Sequence, residues 1–464
     1  MIIMKFGGTS VGDQKRLTNV ISIVRSYLPM KPVIVASAMG GVTDMLLDTA
    51  HFSVERDDKK VGSNFDLFKA KHLEIADSLI ENPERRNELI SRQQTLFGDL
   101  SNLLRGVGLL KELSIRSLDA IAAYGEILSC LQISAVLNDK GIPAEFIDAR
   151  ELIRTDNRFG EAAVYFDITN ENIRKNLLPL LEKNIVPVIT GFIGSTADGL
   201  TTTLGRSGSD YTASIIGAAT GSSEIWIWTD VDGVMTADPR IVKSAQVLPA
   251  ISYREAAEMS YFGAKVIHPK TMLPAIENNI PIRIKNTFNP SHDGTIISKF
   301  TPKTEQIVKN VTSIDRLGLI SIEGNGMLGV PGVSARIFTT LARVRVNVMM
   351  ISQASSEHNV CLVIPGKDNL KAVETLKEEF RTDIAARNID DIKFQDNVSI
   401  IAVVGEAMKG TRGIAGKTFS ALASADVNVV AIAQGSSELN ISLVVEQDDA
   451  PKAVQAIHDA FLTP

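Results

Sequence analysis

Short apolar runs alternate with longer runs of helical period over most of the first 300 residues. Residues 1–4, 32–36 and 225–228 are continuous apolar stretches, the pattern of strands buried on both faces. Each of these strands leads into a cluster of Gly, Ser, Thr or Asp, residues that turn the chain. The runs between them repeat their apolar positions every three or four residues, which predicts amphipathic helices. Strands alternating with helices predict an α/β domain on a largely parallel sheet, assigned to residues 1–298. From about 56 to 118 the pattern becomes long, charged and helical, as in 68–82 and 83–106, and predicts a helical cover on that domain. Residues 280–285 predict a last strand, closed by the turn Asn286-Thr-Phe-Asn-Pro290.

The final third repeats itself. Aligning Met327 with Met408 brings Gly329 onto Gly410, Gly332 onto Gly413 and Phe338 onto Phe419. Asn347-Val348 falls on Asn428-Val429, Gln353 on Gln434, and Ser355-Ser-Glu357 on Ser436-Ser-Glu438. Two copies of one fold unit are therefore present. Each reads strand, glycine loop, helix, strand, tight turn, strand, helix, the ferredoxin-like βαββαβ order. Copy one has a candidate fourth strand at 389–395, but copy two runs out at Pro464 with none. The β-prone segment 306–312, otherwise unassigned, is expected to complete copy two. The expected division is then a linker at 299–305, copy one at 313–396, and copy two at 306–312 plus 397–464.

At 464 residues several domains are expected, and 44% hydrophobic with 22% charged residues is the balance of a globular protein. A net charge of −6 argues against a nucleic-acid surface and suits small-molecule work. Cys130 and Cys361 lie far apart in apolar surroundings and are expected to be buried thiols of a reducing compartment. No cationic-apolar leader opens the sequence, and no apolar run is read as approaching the ~18 residues of a membrane span. A cytoplasmic protein without membrane contact is the expectation.

The chemistry concentrates in four loops. Lys5-Phe-Gly-Gly8 follows the first strand, Ser37-Ala-Met-Gly-Gly-Val-Thr43 the second, and Thr229-Asp-Val-Asp232 the third. The fourth, Thr203-Leu-Gly-Arg-Ser-Gly-Ser-Asp210, puts an arginine, an acid and hydroxyls ahead of a helix-like run at 211–219. Ligands bind at such carboxyl ends of open α/β sheets, and helix starts receive anions. There is no Walker-type Gly-x-x-x-x-Gly-Lys run and no protein-kinase signature set. The six histidines are scattered, which gives no metal cluster, and no protein metal ligand is assigned.

With Gly125-Glu126, Trp228-Thr-Asp230 and Phe262-Gly-Ala-Lys265, these motifs resemble the aspartokinases of the amino-acid kinase family over nearly the whole chain. The resemblance implies an amino-acid kinase fold, a largely parallel sheet between helices, followed by two ferredoxin-like ACT domains. It implies ATP-dependent phosphorylation of the β-carboxylate of L-aspartate to 4-phospho-L-aspartate, the first step toward lysine, threonine and methionine. That carboxylate is already an anion at neutral pH, so the reaction asks for cations, backbone N–H groups and alignment rather than a general base. Lys5, Gly7, Gly8 and Asp210 are the implied catalytic group; whether Asp210 orients Lys5 or the substrate amine stays open. Ser37, Thr43, Glu126, Phe192, Arg206 and Ser209 are implied for aspartate, Glu126 at its α-amine and Arg206 at its α-carboxylate. Lys5, Gly8, Thr229, Asp230, Met235, Arg240 and Lys265 are implied for ATP, with Mg²⁺ held mainly by its phosphates. Two positions depart from the commoner pattern: Ser207 stands where glycine is usual, and Met235 where a tyrosine often packs. A different carboxylate substrate and a catalytically inactive amino-acid sensor are the alternatives. No dinucleotide-binding unit follows the second repeat, so a fusion to homoserine dehydrogenase is not expected.

Each repeat carries a matching cassette, Ile-Ser-Gln353-Ala-Ser-Ser-Glu357 and Ile-Ala-Gln434-Gly-Ser-Ser-Glu438. An amide and hydroxyls beside glycine loops suit a small polar amino acid. Met327, Gly329, Gln353, Ser356, Glu357, Gln434 and Asn440 are the expected effector residues. The cassette looks like that of threonine-sensitive aspartokinases, so threonine is favoured and lysine second. ACT pairing implies a homodimer or homotetramer.

Overall fold

The computed structural model describes residues 1–264, 267–300, 306–328, 330–353 and 358–462. The chain divides into two compact units. One comprises Met1–Val234, Pro249–Tyr253 and Ile267–Thr301; the other comprises Met235–Leu248, Arg254–Val266 and Pro302–Pro464. Sequence continuity placed everything before 298 in the first unit, but residues 235–248 and 254–266 pack within the second.

The first unit is built on strands β1 (Ile2–Phe6), β2 (Pro32–Ala36), β3 (Ala144–Ile147) and β4 (Val186–Thr190), then a hairpin of β5 (Ile193–Ser195) and β6 (Thr201–Thr203). β7 (Glu224–Thr229), β8 (Ala250–Ser252), β9 (Ile282–Asn286) and β10 (Thr295–Ser298) follow. Eight of them form one sheet in the order β3-β4-β2-β1-β7-β9-β10-β8, parallel except for the β9–β10 pair. The Lys5 loop and the Thr229 loop thus leave adjacent strands, β1 and β7, in register. Ile2, Met4 and Phe6 face one side, where Phe6 stacks on Trp228 at 5.9 Å and Phe68, Phe97 and Leu100 belong to the same core. Fully burying a side chain of this kind contributes about 1.5–3 kcal/mol.

The expected helical cover is present as helices Asp58–Leu79 and Pro83–Leu110, started by the side chains of Asp57 and Asn82, with proline at the first turn of the second. Helix Ile115–Asp139, capped by Ser114, corrects the reading that no apolar run reaches spanning length. It is long and apolar enough to cross a membrane, but 83% of its most apolar window is buried inside the protein. Such a helix is the core element of this unit.

The second unit holds one six-stranded sheet, of β11 (Asn310–Glu323), β12 (Met350–Gln353), β13 (Asn359–Pro365), β14 (Asp391–Val404), β15 (Ala431–Ala433) and β16 (Asn440–Glu446). Their order is β12-β13-β11-β14-β16-β15. The two long strands serve both repeats. Leu317–Glu323 pairs with β13 and with the start of β14, whereas Asn310–Ile314 pairs with Ile400–Val404. The register shifts between these halves, at Ile314 and Leu317, where Arg316 has φ +61°. Each half has its own core, one around Ile320, Leu362 and Phe380, the other around Val311, Leu443 and Ile457. The proposed linker at 299–305 lies mostly outside the described residues.

Candidate functional site

Lys5, Ser37, Thr43, Glu126, Phe192, Arg206, Ser209 and Asp210, with Gly160, Gly205, Ser207 and Gly208, line one cleft of about 550 Å³ in the first unit. The cleft opens at the carboxyl ends of β1, β2 and β4, where glycines let backbone approach backbone. A Cβ on Gly8 would stand 2.8 Å from the carbonyl oxygen of Ala38, and the Gly40 N–H donates to Gly8 O at 3.0 Å. A Cβ on Gly191 would meet Ser209 at 2.6 Å. Larger residues would therefore force these loops apart.

Lys5 is the one residue of β1 that is not fully buried, and its Nζ meets Asp210 Oδ1 at 2.7 Å. Asp210 lies in the first turn of helix Gly208–Thr220, whose N-cap Ser207 makes no side-chain capping bond. First-turn N–H groups left without a cap suit an anion. Ser37 donates its hydroxyl to Ser209 at 2.9 Å, which ties the second loop to that helix. Ser207 sits at φ +56° and Phe192 at φ +70°, conformations that L-residues adopt at a cost. The glycine usual at position 207 in the resembling family is explained by that backbone.

Glu126 is the most perturbed carboxyl of the cleft. It is buried, its Oε1 accepts from the Ala38 N–H at 3.2 Å, and its Oε2 has no hydrogen-bond partner among the described residues. Burial pushes its pKa up to about 8, against a smaller opposing effect of the Ala38 N–H. An ammonium brought beside it would supply the missing partner and restore the charge. Gly125 makes the approach possible, since a Cβ there would stand 2.8 Å from Ala38 Cβ. Arg206, by contrast, is exposed.

The expected nucleotide residues do not all fall together. Thr229 ends β7 and Asp230 follows it, and Thr229 donates its hydroxyl to Asp230 at 3.2 Å. Met235 and Arg240 belong to the second unit, where Arg240 is paired with Asp238 and largely exposed. Lys265 lies outside the described residues. Of the expected effector residues, Gly329, Ser356 and Glu357 lie outside them as well. Gln353 and Gln434 are exposed beside the edge strands β12 and β15, and Met327 is buried. Asn440 is engaged by the Glu258 carboxylate. Glu438, which carried no expectation, accepts from the Gly410 N–H at 2.8 Å and closes the second glycine loop.

Sequence reading missed several side chains that shape the cleft. Lys71, on the helical cover, donates to Gly40 O at 2.6 Å. Asp119 accepts from Gly160 N at 2.9 Å, Thr203 N at 3.0 Å and Thr203 Oγ1 at 2.8 Å. Asp232 accepts from the Asn286 and Asn289 amides at 2.9 and 3.0 Å, fastening the loop after β7 to the turn after β9. None has a local signature, because each acts on residues far away in sequence. His268 caps helix Pro269–Glu277 by accepting from Lys270 N.

The profile of the amino acid kinase family matches residues 1–286, and that of an ACT domain matches 320–380 and 401–461. The chain therefore belongs to the amino acid kinase family. Its sequence is 36% identical to Aspartokinase 2, chloroplastic, of Arabidopsis thaliana, over 99% of this chain and 84% of that protein. It is 39% identical to Bifunctional aspartokinase/homoserine dehydrogenase 2, chloroplastic, of the same plant, over 99% of this chain and 50% of that protein. The chain thus spans about half the length of the bifunctional relatives it matches. Among solved structures, E. coli aspartokinase III in complex with aspartate and ADP superimposes with a TM-score of 0.82 at 30% identity, covering 99% of both chains. The Clostridium acetobutylicum aspartate kinase gives 0.82 at 31%, covering 99% of this chain and 100% of that one. Within the family the chain belongs with the aspartokinases.

Proposed function

We propose that this protein transfers the γ-phosphoryl group of ATP to the β-carboxylate of L-aspartate. The observation that carries the reading is Glu126, a buried carboxyl with one oxygen unpartnered among the described residues, facing the same cleft as exposed Arg206 and the Lys5–Asp210 pair. Those groups match the three charges of aspartate: Glu126 takes the ammonium, Arg206 the α-carboxylate, and Lys5 stands where the β-carboxylate meets phosphate. Arginine's planar fork suits a carboxylate better than a lysine would. The β-carboxylate attacks as it stands, and the task left to the protein is to offset repulsion between two anions. Lys5, the Gly7–Gly8 backbone and the start of helix Gly208–Thr220 supply that positive potential, and Asp210 keeps Lys5 aimed. The binding of aspartate and ADP by the E. coli relative supports the substrate pair.

ATP is placed along Thr229 and Asp230, with Met235, Arg240 and Lys265 as the further contacts that the family resemblance implies. Mg²⁺ would arrive with the nucleotide and be held by phosphate oxygens, a donor set it favours.

The repeats are proposed to bind an end-product amino acid at the Gln353 and Gln434 cassettes, threonine ahead of lysine, in a homodimer or homotetramer. Binding of lysine by the E. coli relative supports an amino-acid effector. The deciding assay traps the acyl phosphate with hydroxylamine in the presence of ATP and L-aspartate, then repeats it with threonine or lysine added. No hydroxamate with aspartate, against turnover of another carboxylate, would overturn the substrate.

A further inference from the structure

Helix Ile115–Asp139 carries more than Glu126. On one stripe of that helix, Cys130 donates its thiol to the carbonyls of Ala36 and Ile189, at the ends of β2 and β4. One turn earlier Glu126 reaches Ala38 N. Two turns earlier again, on the same face, lies Asp119, about 10 Å from Glu126 along the axis. Asp119 is 3% exposed and is not among the residues lining the cleft, yet its carboxylate gathers two segments of chain beside it. Oδ2 accepts from Gly160 N and Thr203 N, and Oδ1 accepts from the Thr203 hydroxyl. The Ala162 N–H donates to Thr203 O at 2.9 Å, so the two segments are also joined to each other. Gly160 lines the cleft, and three residues beyond Thr203 comes Arg206.

We propose that Asp119 is a positioning residue that sets the span between the amine-binding and carboxylate-binding arms of the cleft. One rigid helix then holds both ends of the measure, Glu126 directly and Arg206 through the loop that Asp119 anchors. Two backbone N–H groups cannot reverse, so both need an acceptor here; Oδ2 supplies it while Oδ1 holds the Thr203 hydroxyl. Alanine would leave both fixed donors without that acceptor. The buried loop would relax, and Arg206 would lose its fixed distance from Glu126. This inference rests on the aspartate reading of the cleft.

The experiment measures KM for aspartate and for ATP, kcat, and aspartate binding by calorimetry, in wild type, Asp119→Ala and Thr203→Val. Misplacement of a binding group by about 1 Å costs up to about a hundredfold, so we expect the aspartate KM of Asp119→Ala to rise by about tenfold or more. Its KM for ATP should stay within about twofold, and Thr203→Val, which removes only one of three contacts, should show the same split in smaller measure. Equal changes in both KM values, or unchanged aspartate binding in a folded Asp119→Ala protein, would overturn the proposal. Should Asp119→Ala not fold, an unchanged aspartate KM in Thr203→Val overturns it equally. If wild type gives no aspartate-dependent turnover and no aspartate binding, the substrate reading fails first, and the two failures are told apart.

Discussion

Lys5 Nζ and Asp210 Oδ1 stand 2.7 Å apart although 205 positions of chain separate them, and both side chains are only 13% exposed. One lies next to the end of the first strand; the other is in the first turn of a helix whose N-cap residue makes no side-chain capping bond. The pair lines a cleft that glycines also line. In the proposed reaction it would hold positive charge still where two anions approach.

Lys5→Ala should therefore abolish turnover while leaving the protein folded. One well-placed electrostatic group supplies roughly 3–4 kcal/mol to a transition state, so kcat should fall by two to three orders of magnitude. Far-ultraviolet circular dichroism and hydroxamate formation check the two halves. A folded variant with near-normal kcat would remove Lys5 from the mechanism.

Arg206→Lys should raise the KM for aspartate far more than that for ATP, because a point charge does not reproduce the bidentate fork. Separate titrations of the two substrates decide the matter. A larger loss for ATP would move Arg206 to the nucleotide.

Glu126 binds an ammonium only when ionised, and in the empty cleft its pKa is raised to about 8. The free-enzyme kcat/KM for aspartate should then rise with pH up to about 8 and fall below it. The stability sign is opposite. A folded-state pKa above the unfolded 4.5 means that the cost of ionising Glu126 is fully present above about pH 8 and is shed as pH falls. Glu126→Gln should thus be more heat-resistant than wild type near pH 9 and indistinguishable below about pH 4.5, while losing aspartate affinity at every pH. Differential scanning calorimetry across that range gives the answer, and a flat difference between the two proteins would remove Glu126's titration as the cause.

Ser207→Gly should stabilise the protein by roughly 0.5–1 kcal/mol, since Ser207 holds φ +56° and its hydroxyl caps nothing. Denaturant unfolding of the catalytic unit is the measure. A loss of stability would mean that the flexibility given to the unfolded chain outweighs the relieved strain.

Gln353→Ala should weaken inhibition by threonine and leave uninhibited kcat within about twofold, because an inhibitor acts only through its preference for the less active state, commonly 1–3 kcal/mol. Dose–response curves with threonine and lysine give the result. Inhibition of wild type by lysine alone would reverse the choice of effector and keep the regulatory role.

Local pattern carried a large share of this architecture. Continuous apolar strands running into glycine and hydroxyl clusters are legible because strand burial and turn chemistry are properties of neighbouring residues. For that reason β1, β2 and β7 and their loops read directly from the chain. The repeat was equally plain, since each copy preserves the same turn residues in the same order. Short strands such as β8 and β10 carried no such pattern, and three or four residues hold too little periodicity to mark a strand.

What the amino-acid sequence determined by itself is therefore the type of sheet, the presence of two like repeat units, and a set of candidate residues for the chemistry. The tertiary structure alone decided which of them meet. Asp119, Lys71 and Asp232 act on polar groups 31 to 84 positions away, and no spacing rule reports a contact closed by the fold of the whole chain. Likewise Asn310–Ile314 finds its partners in Ile400–Val404, and residues 235–248 leave the unit that precedes them in sequence. The physical reason is common to all of these. Backbone donors and acceptors must be satisfied wherever packing leaves them, and that place is fixed only once the strands have taken their order.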